Sequence, residues 1–329
     1  MRRAIQFSTL RTRPTAEFTC HRSTTIRHRR LSPSLLGTLA GLTSLYNESV
    51  GDRTEQCWSA RLNRPRKRFG QHFLIDKGVA RQIVEAAAIS PQDTVVEIGP
   101  GRGALTTHLV SSTPHLHLVE IDRDLAAALK EKHGASAQVH AADVLRFDFK
   151  QVLGANTQPL VLIGNLPYNI STPLLITILG QLQFVGRMVF MLQREVAVRL
   201  AAAPGTRSYG RLSVMVNRHC AIERLFDVAP AAFVPPPQVF STVVRVVPRR
   251  QPLGGPVNEV SFARLVRDAF SMRRKTLRNA LKHYCPDAAL KQCGIDPSWR
   301  PEQLSVETFV NLTNALGIDG EDREPQLDC

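Results

Sequence analysis

The 329-residue chain carries 42 Lys and Arg against 28 Asp and Glu, a formal net charge of +14. It is long enough for one large core or two moderate ones, and its basic excess favours a polyanionic partner such as nucleic acid. No stretch reaches the roughly 18–20 apolar residues of a membrane span, and six cysteines scattered without a C-x-x-C pair argue against a structural zinc site or a disulfide framework.

Residues 1–62 are rich in Arg, Ser and Thr and show no sustained helical or strand period. The first expectation for this leader is a misplaced start, with Val50 or Leu62 as alternative start positions. A mitochondrial transit peptide and a disordered basic arm are the other two. From about Arg64 the pattern is regular. Residues 76–88 carry apolar positions at helical spacing, and 94–98 form a β-branched run ending at a Gly cluster. Helix is expected at 104–110, strand at 116–121, helix at 124–132, and strands at 137–143 and 159–165. Helix follows at 172–182, strand at 187–192 and helix at 195–202. This alternation predicts an α/β fold with a mainly parallel sheet covered on both faces. The runs 211–219 and 241–248, with no helix between them, predict a terminal antiparallel pair. "RRQPLGGP" at 249–256 reads as a linker, and 262–284 and 300–317 predict a small helical domain. The expected organisation is a leader over 1–62, a sheet domain over 63–248, a helical domain over 249–318 and an acidic, disordered tail over 319–329.

"VVEIGPGRGAL" at 95–105 is strand, Gly-rich turn and helix. Gly99 and Gly101 allow a tight turn and a close approach to a ligand. With Ala104 they satisfy G-x-G-x-x-[GA], the weak signature of a dinucleotide site. Pro100 removes an N–H from the loop that would cradle a pyrophosphate, and Glu97 places negative charge beside it. Both favour a cationic ligand without phosphates, such as S-adenosyl-L-methionine. Glu120 ends the second strand, where a carboxylate can accept from two ribose hydroxyls, and Asp143 ends the third, within reach of an adenine amino group.

"IGNLPYNIS" at 163–171 ends the fourth strand on the same edge. An exocyclic adenine amine is a poor nucleophile because its lone pair is delocalised into the ring. Two acceptors on its N–H bonds would localise that pair, and the Asn165 side-chain oxygen and the Leu166 carbonyl suit the task. Pro167 stiffens the turn, and Tyr168 offers a ring for a flipped-out base. An Asx-turn capping the next helix is the alternative for N-x-P-Y alone.

Seven stretches together carry a family resemblance: "KRFGQHFL" (67–74), "VEIGPGRGALT" (96–106), "NLPYNIS" (165–171), "MLQREVAVRL" (191–200), "SYGRLSVM" (208–215), "FVPPPQVFSTVV" (233–244) and "AFSMRRKTLRNAL" (269–281). From about Lys67 to Leu316 the chain resembles the ribosomal small-subunit RNA adenine N6-dimethyltransferases of the KsgA type. The resemblance implies a class I methyltransferase (Rossmann-like) domain over 63–248 and a helical RNA-binding domain behind it. It implies His72, Leu74, Gly99, Glu120, Asp143 and Asn165 as contacts of S-adenosyl-L-methionine; Gly101 joins them from the glycine turn, and direct methyl transfer needs no metal. It places Phe233 against the target adenine on the side opposite Tyr168. The implied substrate is a pair of adjacent adenines in a hairpin near the 3′ end of small-subunit rRNA, each dimethylated within an assembling subunit. The implied enzyme is monomeric and cytoplasmic, or mitochondrial if the leader is a transit peptide. Gln238 and Phe240 stand where the family usually has Lys and then often Asp.

Arg264, Arg267, Arg273, Arg274, Lys275, Arg278 and Lys282 crowd one segment of the helical domain, and "RPRKR" at 64–68 forms a second basic patch. Single-sign clusters repel themselves and suit phosphates; Arg273, Arg274, Lys275 and Arg278 are the expected RNA contacts. Three other functions compete: a resistance-type methyltransferase of large-subunit rRNA, an inactive assembly or transcription factor on the same scaffold, and a dinucleotide oxidoreductase.

Overall fold

The computed structural model describes residues 71–153, 158–272 and 274–317. The leader over 1–62, the basic run at 64–68, Arg273 and the acidic tail at 319–329 lie outside the described residues. Among the described residues, no helix is long and apolar enough to cross a membrane.

In chain order the elements are β1 (Phe73–Leu74), α1 (Lys77–Ala86), β2 (Val95–Ile98), α2 (Thr106–Leu109), β3 (Leu116–Glu120), α3 (Arg123–His133) and β4 (Gln138–Ala141). They continue with β5 (Leu160–Asn165), α4 (Ser171–Leu179), β6 (Val185–Gln193), α5 (Arg194–Leu200), α6 (Arg211–His219), β7 (Cys220–Val228), β8 (Phe233–Val234) and β9 (Ser241–Pro248). Helices α7 (Glu259–Ser271), α8 (Leu277–Ala280), α9 (Asp287–Gln292) and α10 (Val306–Leu316) close the described chain.

Seven strands form one sheet in the order β4-β3-β2-β5-β6-β9-β7. The first five run parallel, and β9 lies antiparallel to both β6 and β7. Side-chain alternation divides the core between two faces. Val96, Leu162 and Phe190 point into one apolar cluster with Leu174, Leu175 and Ile178 of α4. Val95, Val161 and Val189 point into the other with Ala80, Ile83 and Val84 of α1. Strands buried on both faces read as continuous apolar runs, which is why VVEI and LVLIGN were legible. Asp76 caps α1 by accepting from the N–H groups of Gly78 and Val79, and Asp122 caps α3 by accepting from Asp124.

The antiparallel pair exists, but with a different partner from the one expected. Residues 211–219 form the helix α6, and the strand beside β9 is Cys220–Val228. Ser213 fixes the helix start: Gly210 donates to its hydroxyl at 3.1 Å, and the hydroxyl donates to the Arg199 carbonyl at 2.5 Å. A register shift between Arg224 and Phe226 breaks the alternation of β7, so its period is masked in the sequence. The expected helix over 262–284 is also divided. It stops at Ser271 and resumes at Leu277, whose N–H donates to the Trp299 carbonyl at 2.7 Å.

A third apolar cluster joins α7, α8 and α10, through Phe262, Leu265, Leu277 and Phe309, to Tyr209 and to Val214 of α6. The stretch read as a linker is docked onto this cluster. Arg218, 1% exposed, donates to the carbonyls of Leu253 and Gly255 at 2.5 and 3.1 Å and pairs with Glu259 at 2.7 Å.

Gly164 lets β5 pass the end of β2. A Cβ there would lie 2.4 Å from the Ile98 carbonyl oxygen. Because that obstacle is backbone, Gly164→Ala is expected to lower unfolding stability by about 1–3 kcal/mol, read from denaturant midpoints.

Candidate active site

The carboxyl ends of β2, β3 and β5 open on a cavity holding about 1040 Å³ of empty space counted out to its mouth. Of the sequence candidates, His72, Leu74, Gly99, Gly101, Glu120, Asp143, Asn165, Leu166, Pro167 and Tyr168 all line it, as does Glu97. Phe233 does not line it.

The glycine loop earns its composition. Gly99 and Gly101 have φ of 64° and 58°, the left-handed region that glycine tolerates. A Cβ on Gly101 would lie 3.1 Å from the Phe73 ring. Gly99 donates to the Val119 carbonyl at 2.9 Å, which fixes the loop to β3.

Carboxylates dominate the polar wall. Glu120 accepts from the N–H groups of Gly101 and Asp122 at 3.0 and 2.9 Å. Its burial raises its pKa, while those two N–H groups oppose the rise. Asp143 accepts from the Leu145 N–H at 3.0 Å and caps a 3-10 turn over Val144–Arg146. Glu97 is 1% exposed and accepts from the Thr106 hydroxyl at 2.6 Å. Burial pushes its pKa to about 8; the Thr106 bond opposes this and the Glu120 charge adds to it. Burial thus favours the protonated form of Glu97, against the free negative charge expected there from the sequence.

Asn165 stands at the end of β5. Its Nδ2 donates to the His72 carbonyl at 3.0 Å, which leaves Oδ1 as the amide's accepting end. The Leu166 N–H donates to the Met191 carbonyl at 3.2 Å, and the Pro167 carbonyl accepts from the Ser171 hydroxyl at 3.0 Å. The turn is thus tied to β6 on one side and α4 on the other. The Tyr168 hydroxyl and the Ser241 hydroxyl are 2.9 Å apart, and burial raises the Tyr168 pKa.

The rings differ from the expected arrangement. Phe233 is 2% exposed and pairs with Leu74 across the β1–β8 ribbon, inside the core beneath the sheet. The ring beside Tyr168 is that of His72, at a centroid distance of 5.4 Å.

Two further lining residues were not among the sequence candidates. Ile121 directly follows Glu120 and is 46% exposed, an apolar side chain offered to the cavity. An Ile just past a strand-end acid was the available signal. Arg102 lies 4.2 Å over the Phe73 ring, a contact between distant segments that no spacing reveals. In the helical part, Arg274 and Lys275 are exposed, and Arg278 is exposed but paired with Asp287 at 2.6 Å.

The donor set suits S-adenosyl-L-methionine. Two strand-end carboxylates can accept from hydroxyls and amines, Ile98, Ile121 and Val144 offer apolar walls, and the glycine loop admits close approach.

A family described as Ribosomal RNA adenine dimethylase matches residues 62–317. Ribosomal RNA small subunit methyltransferase A of Nitrosococcus oceani is 52% identical over 255 residues, covering 76% of this chain and 96% of its own. That of Alcanivorax borkumensis is 49% identical over 253 residues, covering 77% and 90%. Among solved structures, a dimethyladenosine transferase from Plasmodium falciparum superposes with a TM-score of 0.63 at 26% identity, over 73% of this chain and 96% of its own. The 23S rRNA methyltransferase ErmE gives 0.57 at 25%, over 74% and 99%. The sheet with its antiparallel end is the class I methyltransferase fold.

The raised pKa of Glu97 has a sign that can be checked. Its contribution to stability is full below the ordinary value of 4.5, where folded and unfolded chains are both protonated, and it is lost as pH rises to about 8. Glu97→Gln keeps an acceptor for Thr106 without a titrating proton. Its urea midpoint should gain on that of the wild type across this window; a constant offset would contradict the buried proton.

Proposed function

The chain belongs to the ribosomal RNA adenine dimethylase family, and we propose that it places two methyl groups on N6 of each of two adjacent adenines in a hairpin near the 3′ end of small-subunit rRNA. The half-identical relatives carry the small-subunit name, whereas the 23S enzyme is 25% identical. The proposed setting is an assembling small subunit met by a monomeric enzyme.

S-adenosyl-L-methionine supplies an electrophilic methyl group on a sulfonium sulfur. Glu120 would accept from its ribose hydroxyls and Asp143 from its adenine amino group, with the backbone of Gly99 and Gly101 against its amino-acid end. Leu74 and His72 close the cavity from the β1 side.

The observation that supports adenine chemistry most is the fixed amide of Asn165. With Nδ2 committed to the His72 carbonyl, Oδ1 is the end that can accept from a substrate amine. The Leu166 carbonyl gives the second acceptor. Together they would hold both N–H bonds of the adenine amine and turn its lone pair toward the methyl group. No nucleophilic side chain is required. Orientation in the cleft would supply the acceleration; as the N–C bond forms the methyl–sulfur bond would break, and the amine proton would leave toward solvent. Tyr168 provides the stacking face for the flipped base.

We also assign RNA contact to the helical part beyond residue 249, with the exposed Arg274 and Lys275, which make no ion pair among the described residues, and with Arg278, which shares its charge with Asp287.

Small subunits lacking these methyls, incubated with labelled cofactor, should yield dimethyladenosine at two adjacent positions, with large subunits unlabelled. Label in the large subunit alone would reverse the assignment. Asn165→Ala should lose about 10²–10³-fold in methylation rate while cofactor binding changes far less. Binding of RNA should weaken steeply with salt, and Arg274→Ala or Lys275→Ala should each flatten the logarithmic salt slope by about 0.7–0.9. An unchanged slope in both would remove these side chains from phosphate contact.

A further inference from the structure

We propose that Trp299 stacks on an unpaired nucleotide of the RNA, beside the cations assigned above to phosphates. The role rests on the RNA contact proposed for the helical part and names the chemistry which that contact reads. Trp299 is 39% exposed, although indole rings are on average well covered. It lies in the turn between α9 and α10 and does not line the methyl-donor cavity.

Backbone hydrogen bonds set this turn against the cationic segment. The Trp299 carbonyl accepts from the Leu277 N–H at 2.7 Å, and the Pro297 carbonyl accepts from the Arg278 N–H at 3.1 Å. Residues 297–299 therefore run beside the start of α8, which follows Arg274, Lys275 and Thr276 in the chain. Both sides of this junction are held. The Lys275 N–H donates to the Met272 carbonyl at 2.8 Å. The Trp299 N–H donates to the Asp296 carbonyl at 2.9 Å, and the Ser298 N–H donates to the Asp296 carboxylate at 2.8 Å. The second acid nearby, Asp287, is engaged by Arg278 at 2.6 Å. The indole is thus carried on a fixed frame, and little ordering is needed when a ligand arrives.

A partner for this surface needs two properties at once: negative charge for Arg274 and Lys275, and a flat apolar face for the indole. An unpaired nucleotide has both, because every base has a π-face and carries its own phosphate. A duplex keeps its base faces stacked inside and offers phosphates and groove edges instead. Met272, 51% exposed just past α7, adds apolar surface on the other side of the cations in the chain. Arg274 and Lys275 alone would hold either form of RNA; the indole selects the single-stranded one.

Binding of small subunits lacking the methyls is measured for wild type, Trp299→Ala and Trp299→Phe across a salt series. Trp299→Ala should weaken Kd about five- to 100-fold at every salt concentration, with the logarithmic salt slope unchanged, because stacking releases no counterions. Trp299→Phe, which keeps a smaller ring, should fall between the other two. Cofactor Kd, read by calorimetry, should be the same in all three, as a check that the fold persists. A second measurement leaves Trp299 in place. Trp58→Phe makes it the single tryptophan, and a short single-stranded oligoadenylate should quench its fluorescence, whereas an RNA duplex of equal length should not. Wild-type Kd in Trp299→Ala overturns the stacking, and so does an oligoadenylate that fails to quench. Weakened subunit binding without that quenching would assign the indole to a ribosomal protein. Failure of the underlying RNA contact reads differently: Arg274→Ala and Lys275→Ala would then leave the salt slope unchanged and Trp299→Ala would leave Kd unchanged, and both proposals would fall together.

Discussion

One hydrogen bond holds the site together: Asn165 Nδ2 to the carbonyl of His72, 3.0 Å long and spanning 93 residues of sequence. It joins the end of the central strand β5 to the short ribbon that closes the cavity. On one side of it lies the glycine loop, where a Cβ on Gly99 would lie 3.6 Å from the Pro167 ring. On the other lies β8, reached through His72 and Pro235. The methyl-donor pocket and the acceptor turn are therefore one constellation around one amide.

Much of this was legible in the sequence, for physical reasons. Strands buried on both faces leave continuous apolar runs, and the acid that ends β3 stands out against them. A turn rich in positive φ must be glycine, so Gly99 and Gly101 announce themselves. Asn165, Pro167 and Tyr168 fall together on the cavity as their spacing suggests. What was not legible depends on contacts between distant segments. Helix α6 was misread as a strand because its start is set by Ser213 and the Arg199 carbonyl, fourteen residues away. Strand β7 was missed because a bulge erased its alternation. Phe233 sits beside a proline-rich turn like a surface residue, yet its pairing with Leu74 carries it into the core. A ring in the right stretch of sequence does not reveal which face of a ribbon it occupies.

The electrostatics also run differently from a count of charges. The chain is strongly basic overall, yet its cavity is walled by acids, so the two properties are segregated. The exposed cations Arg274 and Lys275 lie in the helical part, whereas Glu120 and Asp143 line the cavity with Arg102 beside them. Glu97 shows the limit of charge counting: burial favours its protonated form, and its structural part is to accept from Thr106 at the head of α2. Glu120, held by two backbone N–H groups, is the carboxylate pre-arranged for a ligand.

The docked stretch at 249–256 has a mechanical consequence. Arg218 grips two of its carbonyls, and a Cβ on Gly254 would lie 2.8 Å from Val310, so the backbone there lies flush against α10. Such a connection is a strut and not a tether. In the proposed RNA contact, the basic helices would then stand at a set distance from the cavity. Reach along the RNA is then a property of the protein's frame, and insertion of a few residues into this stretch would change where the enzyme can act before it changed how well it reacts.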